Sequence, residues 1–357
     1  MQSSPPRRPR LAQASLEKLS APSSVGGSLI LVFVLIWAAV LIGSGFSRFV
    51  RPAKVQLMGA KSSYPHRFTQ VPSVPTGSFK YGGSTAWAPI RLVVDSSIQA
   101  ERLEFQLRYV EPRDYPSSSS QGIRMLLSGQ LSFAQSARPL MSAEYEAAKR
   151  QGITLKQIPV AIDGVALAVH PRLNLPGLTL NQLQLIYSGQ VKNWKQVGGP
   201  DLEVLPFWRF QNATHLMDFP VGGLYSRPTK MMNFEAVPTT TEALRRLAGS
   251  PGGLYYASAS VLVPQCSVKL LPLGRQPGRF VAPYVGPQGS VGECPNPRPR
   301  INLSALQTGQ YPITRYLYVI VKENGQVEQQ AGEAYVNFLL TRQGQALLSQ
   351  AGFVSLR

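Results

Sequence analysis

Acids, histidines and cysteines are all scarce in this chain. Its 357 residues include 18 Asp and Glu, three His and two Cys. His66, His170 and His215 stand at no metal-ligand spacing, which argues against a histidine-based metal centre. The cysteines, Cys266 and Cys294, share one late region. Pairing suits an oxidising compartment, and two separate thiols remain the alternative, since spacing alone does not give the geometry of a bridge. Nucleotide loops of the G-x-x-x-x-G-K-[ST] or G-x-G-x-x-G type are missing. So are a G-x-S-x-G elbow and any recognisable pair of catalytic acids. These absences exclude the commonest hydrolase and phosphoryl-transfer chemistries, so the chain reads as a non-enzyme with no cofactor and no metal. No fixed-period repeat is visible.

Positive charge is plentiful instead. Lys and Arg number 36, for a formal net charge of +18, which calls for an anionic partner: nucleic acid, anionic lipid or a small oxyanion. Residues 1–27 hold Arg7, Arg8, Arg10 and Lys18 against Glu17, and residues 48–91 hold seven cations and no acid. The remaining surplus is spread thinly. A nucleic-acid binder shows a basic helix or basic strands interleaved with aromatics, and neither is present, so nucleic acid is set aside.

Residues 19–47 carry no charge, and residues 29–42 are unbroken apolar sequence. The stretch 28–46, as a helix rising 1.5 Å per residue, spans roughly the 30 Å hydrocarbon core of a bilayer. A cleaved signal peptide is the rival reading, but Ser44-Gly45-Phe46-Ser47 is a poor cleavage site. The expectation is a retained transmembrane anchor in contact with membrane lipid, after a basic tail (1–27). The arginines before it favour an inside N-terminus and an extracytoplasmic remainder. Residues 47–80, with Pro52, Pro65, Pro72 and Pro75 and no apolar periodicity, read as a linker.

Beyond the linker, strand-like and helical patterns alternate. Strands are expected at 90–94 (or a helix start), 103–110, 131–134, 162–169 and 316–321. Helices are expected at 121–129, at 142–151 with Ser142 as N-cap, at 180–187 with Thr179 as cap, and at 332–351. Such alternation predicts an α/β fold with mainly parallel sheets. The apolar runs 162–169 and 316–321 suit two crossings between lobes. Lobe 1 would then own 81–160 and 316–357, with lobe 2 (161–315) inserted, and the ligand would sit in the cleft between them. Asp163, an acid inside the first of these runs, is expected to play a structural part.

Three loops carry the chemistry. Gly82-Gly83-Ser84-Thr85-Ala86 keeps backbone amides accessible and offers hydroxyls. Ser117-Ser118-Ser119-Ser120 opens a helix, where unpaired amides and the dipole favour negative charge. Ser136-Ala137-Arg138-Pro139 follows a strand, at the end where open α/β sheets bind ligands. Arg209, followed by Asn212 and Thr214, is a second candidate, because a guanidinium fork suits phosphate. Each loop also has a plain reading as turn chemistry.

The segments 158–169 (IPVAIDGVALAV), 178–183 (LTLNQL), 186–189 (IYSG), 191–194 (VKNW), 197–201 (VGGPD), 122–139 (GIRMLLSGQLSFAQSARP) and 251–256 (PGGLYY) carry a family likeness. Together they resemble the phosphate-binding protein of high-affinity phosphate ABC transporters, within the periplasmic binding-protein superfamily. The likeness covers roughly residues 81–357 and is weak over 264–312. It implies a two-lobed fold that closes on phosphate and delivers it to an ABC permease. By matching positions it implies Thr85 and the Ala86 amide from the first loop, Ser119 from the second, Arg138 from the third, and Arg209 and Thr214 from the fourth. Ala137 stands where many members have an aspartate that accepts a proton from HPO4²⁻, and Asn212-Ala213-Thr214 replaces Ser-Gly-Thr. Both departures bear on ligand choice. A sensor or scaffold that keeps the fold without tight binding is the alternative.

Overall fold

The computed structural model describes residues 65–209, 234–288 and 294–357. The expected anchor at 28–46 lies outside them, as does Thr214. No helix among the described residues is long and apolar enough to cross a membrane.

The tail of the expected linker is not a linker. Phe68, fully buried, packs edge-on against Phe338, and Val71 joins the same core. Strand β1 (Gly77–Gly83) begins before residue 80. A tight turn (Thr85–Trp87) then leads into helical segments Ala88–Ile90, Arg91–Asp95 and Ser96–Glu101. The strand reading of 90–94 therefore gives way to its alternative, a helix. Ile90, Val94 and Ile98, spaced by four, form its buried stripe while Leu92 faces solvent. Strand β2 (Phe105–Tyr109), helix α1 (Ser119–Leu127), strand β3 (Phe133–Ser136) and helix α2 (Ser142–Arg150) come next. The N-cap of α2 is Met141, not Ser142, and the Glu144 carboxylate accepts the Met141 amide at 2.9 Å.

Strand β4 runs 16 residues, Thr154–Val169. After helix α3 (Leu180–Tyr187) come strand β5 (Leu205–Arg209), strand β6 (Glu235–Val237), helix α4 (Thr240–Gly249), strand β7 (Gly253–Ser258) and strand β8 (Lys269–Leu271). Thr179 caps α3 as expected, its hydroxyl accepting the Gln182 amide at 3.1 Å. Strand β9 (Thr314–Glu323) returns, followed by α5 (Val327–Leu340) and α6 (Arg342–Gln350). The single helix expected over 332–351 is thus two. Thr341 takes an extended backbone, and its hydroxyl accepts the Gly344 amide at 2.8 Å, capping the second helix.

The main sheet runs β2-β1-β3-β9-β4-β7-β5-β6, with β8 also on β4. It is mixed rather than mainly parallel. Pairs β1–β2, β1–β3, β5–β7 and β5–β6 are parallel, whereas β9 is antiparallel to β3 and β4, and β4 to β7 and β8. The cause is the route of the chain: β4 and β9 lie side by side and run in opposite directions.

Four hydrophobic clusters flank this sheet. Phe68, Trp87, Phe105 and Tyr335 belong to one, and Ile123, Leu126 and Leu131 to a second. Leu167, Tyr187 and Trp194 belong to a third, and Phe207, Leu247 and Leu262 to a fourth. Strand β4 serves all four. Val160 and Ala161 enter the first and Leu155 the second, then Val165, Leu167 and Val169 alternate with Ala166 and Ala168 between the other two. Burial on both faces is why its sequence reads as continuous apolar residues.

Candidate functional site

The site begins where β1 stops. Gly83 has φ +137°, and a Cβ there would meet the Gln135 carbonyl oxygen of β3. Across from it, a Cβ on Gly122 would come within 2.6 Å of the Gly83 Cα. These glycines let the first turn of α1 pack directly on the end of β1, which brings the serine run 117–120 beside Thr85.

Each loop is fixed locally. The Ser84 hydroxyl accepts the Ala86 amide at 3.3 Å, and the Ser118 hydroxyl caps α1 through the Gln121 amide at 3.2 Å. Ser119 Oγ accepts the Ala137 amide at 3.1 Å, tying the second loop to the third. Trp87 donates its indole N–H to the Ser136 carbonyl at 3.1 Å. Behind the first loop Asp95, 3% exposed, accepts the Tyr81 hydroxyl at 2.6 Å and the Tyr335 hydroxyl at 2.7 Å. Burial pushes its carboxyl up to about 6, while those hydroxyls and Arg91 pull the other way.

Arg209 ends β5. Its Nη1 donates to Thr85 Oγ1 at 2.5 Å and its Nη2 to the Ser117 carbonyl at 3.4 Å. Its buried Nε has no hydrogen-bond partner, and no carboxylate is paired with it among the described residues. One cation thus joins β5 to both hydroxyl-rich loops.

Arg315, at the start of β9, lies directly opposite Asp163 of β4 in the antiparallel register. Its Nη2 and Nε reach Asp163 Oδ2 at 2.9 and 3.0 Å. Asp163 has no exposed surface and also accepts the Ser258 hydroxyl. Burial raises its carboxyl above the usual range, against the opposing pull of Arg315 and Ser258. Asp163 therefore anchors Arg315, in line with its expected structural part.

These groups surround a cavity of about 110 Å³. Thr85, Ala86, Ser119 and Arg209, all singled out in the sequence, line it together with Ala137 and Arg315. Aromatic residues, Trp208 and Tyr256 among them, line it as well. Among the described lining residues there are two arginines and no acid. The volume is well under the roughly 300 Å³ at which sites for drug-sized ligands begin, so the cavity suits a small ion.

Arg138 departs from the expectation. Its side chain is 3% exposed and forks onto Glu144 at 2.6 and 2.9 Å, with further bonds to Ser120 Oγ at 2.7 Å and the Pro139 carbonyl at 2.8 Å. It is absent from the cavity lining. Arg315 takes the place of a second arginine there. It was missed in the sequence, although an acid inside the apolar run 158–169 signals a cationic partner on a neighbouring strand. Cys266 and Cys294 are joined by a disulfide, with Cα atoms 5.1 Å apart. No group of His, Cys, Asp and Glu among the described residues could hold a metal ion.

A family model described as a PBP superfamily domain matches residues 70–343. The phosphate-binding protein PstS of Staphylococcus epidermidis is 22% identical over 287 residues, covering 78% of this chain and 79% of that protein. A crystal structure from Clostridium perfringens, described as a phosphate ABC transporter substrate-binding protein with bound phosphate, superposes with a TM-score of 0.59. Its identity is 20%, covering 79% of this chain and 100% of that one. An ABC-type phosphate transport receptor from Vibrio cholerae gives 0.55 at 18% identity, covering 78% and 100%. At such identities the structures establish the α/β periplasmic-binding-protein-like fold, and the family model extends over most of the chain. The chain belongs to the PBP superfamily, a family of solute-binding, non-enzymatic proteins.

Proposed function

We propose that the chain is a membrane-tethered, extracytoplasmic solute-binding protein that captures phosphate or a related oxyanion by closure of two lobes, for ABC-type import. The lobes are those read from the sequence, 81–160 with 316–357 and 161–315. The anchor is 28–46, in the plasma or inner membrane. The proposed ligand set is Thr85, the Ala86 amide, Ser119, Arg209 and Thr214, with Arg315 replacing Arg138.

The observation that carries this reading is Arg209: a cation without a carboxylate partner among the described residues, lining a cavity rich in hydroxyls. An oxyanion there supplies the missing negative charge. The phosphate-binding relatives support the same ligand class, and the transport role of two of them supports an ABC permease as partner.

The sensor or scaffold alternative draws on one feature. The Ala86 and Ala137 amides are already satisfied by Ser84 and Ser119, so a ligand must displace internal bonds to use them. Calorimetric titration of phosphate, sulfate and arsenate into the full chain in detergent separates the readings. Saturable binding by at least one anion supports capture. No heat, together with no anion-dependent rise in melting temperature, leaves the scaffold reading.

A further inference from the structure

Arg209 joins the first and second loops at the cavity, and another arginine joins the same loops from outside it. Arg91 does not line the cavity. It is half-buried and opens the helical segment Arg91–Asp95, just beyond the first loop. Its Nη1 donates to Gln135 Oε1 at 3.2 Å, and its guanidinium carbon stands 4.0 Å from the centre of the Tyr109 ring. Each partner carries the contact on to a loop. The Gln135 backbone carbonyl accepts the Ser84 amide at 2.8 Å, and the Tyr109 hydroxyl donates to Ser117 Oγ at 3.1 Å.

Strand order explains how one side chain reaches both. β1 lies between β2 and β3, with Tyr109 of β2 opposite Tyr81 and Gln135 of β3 opposite Gly83. Arg91 therefore bridges the strands on either side of β1, at the end where the loops begin. Both contacts suit arginine in particular. A planar guanidinium stacks its face on a ring while its edge still donates hydrogen bonds, and an ammonium has no such plane. Loops ordered before the anion arrives cost less free energy to organise around it.

Resting on the oxyanion reading above, we propose that Arg91 and Tyr109 are positioning residues for the anion, bracing the first and second loops from outside the cavity. Neither touches the ligand. Arg209 ties Thr85 to Ser117 where the anion sits, and Arg91 with Tyr109 holds the spacing of the same two loops.

The test is calorimetry of inorganic phosphate with the full chain in detergent, alongside melting temperatures measured without phosphate. Tyr109→Phe keeps the ring beside Arg91 and removes only the hydroxyl that reaches Ser117. Arg91→Lys keeps the charge and loses the stacked, edge-donating plane. Each variant should bind phosphate about two- to tenfold more weakly, the scale of one hydrogen bond. Tyr109→Phe should do so with its melting temperature unchanged. Native affinity in either variant overturns the brace and leaves the oxyanion site standing. So does a lower melting temperature with affinity intact, which would make the two residues purely structural. No phosphate binding by the native chain removes the site itself, and the inference with it. Should Arg91→Lys fail to fold, Tyr109→Phe decides alone.

Discussion

Two arginines at strand ends meet opposite fates in this protein. Arg138, after β3, is closed off by a bidentate pair with Glu144 and by Ser120. Arg209, at the end of β5, donates to a hydroxyl and a carbonyl and has no carboxylate partner among the described residues. The difference starts with the neighbouring sequence of Arg138. It precedes a helix whose third residue is Glu144, and that carboxylate caps the helix and captures the guanidinium at once. Arg315 is intermediate, tied to Asp163 yet lining the cavity. An arginine's residue type thus says little about ligand contact; its local carboxylates say more.

Breaking the Arg138 pair should have the largest effect. Glu144→Ala leaves a buried guanidinium without its carboxylate, and is expected to lower folding stability by about 3–5 kcal/mol. Denaturant titration of the variant checks it. A loss below about 1 kcal/mol would show that Arg138 is not held as described.

The buried acid behind the first loop sharpens the contrast, since it is internally paired as Arg138 is. Asp95 sits at about 6 in the folded state, above the ordinary carboxylate range. Between pH 4 and 6 the folded state therefore binds more protons than the unfolded one, so stability falls as pH rises through that window. Two pH units correspond to about 3 kcal/mol. Asp95→Asn should flatten that part of the stability profile. An unchanged slope in the variant assigns the effect elsewhere.

Much of this arrangement was legible in the sequence. The apolar run 162–169 announced a strand, Thr179 announced its helix, and the glycine and serine loops announced residues that line the cavity. Other parts depended on distant contacts. Residues 90–94 are apolar enough for a strand and become helical because their four-residue spacing faces a core assembled from β1, β2 and α5. Phe68 looked like linker because its partner, Phe338, lies at the far end of the chain. Arg315 could be found only by asking what neutralises Asp163, and the register of β4 against β9 supplies that answer.

Arg315→Lys keeps the charge and loses the fork, so one ammonium must serve both Asp163 and the anion. Phosphate affinity is expected to fall by about three- to tenfold, with stability reduced by about 1 kcal/mol, the scale of one hydrogen bond. Calorimetry and thermal melts on the same sample measure both. A loss of stability with affinity intact would make Arg315 a purely structural partner of Asp163.

The central claim is that an anion's charge lands on Arg209. Titrating inorganic phosphate into the full chain and into its Arg209→Lys variant tests it most directly, because the lysine retains charge and loses the planar donor pair. Weakening by about tenfold or more, the value of one charge-assisted hydrogen bond, is predicted. Equal affinities in the two proteins would contradict it.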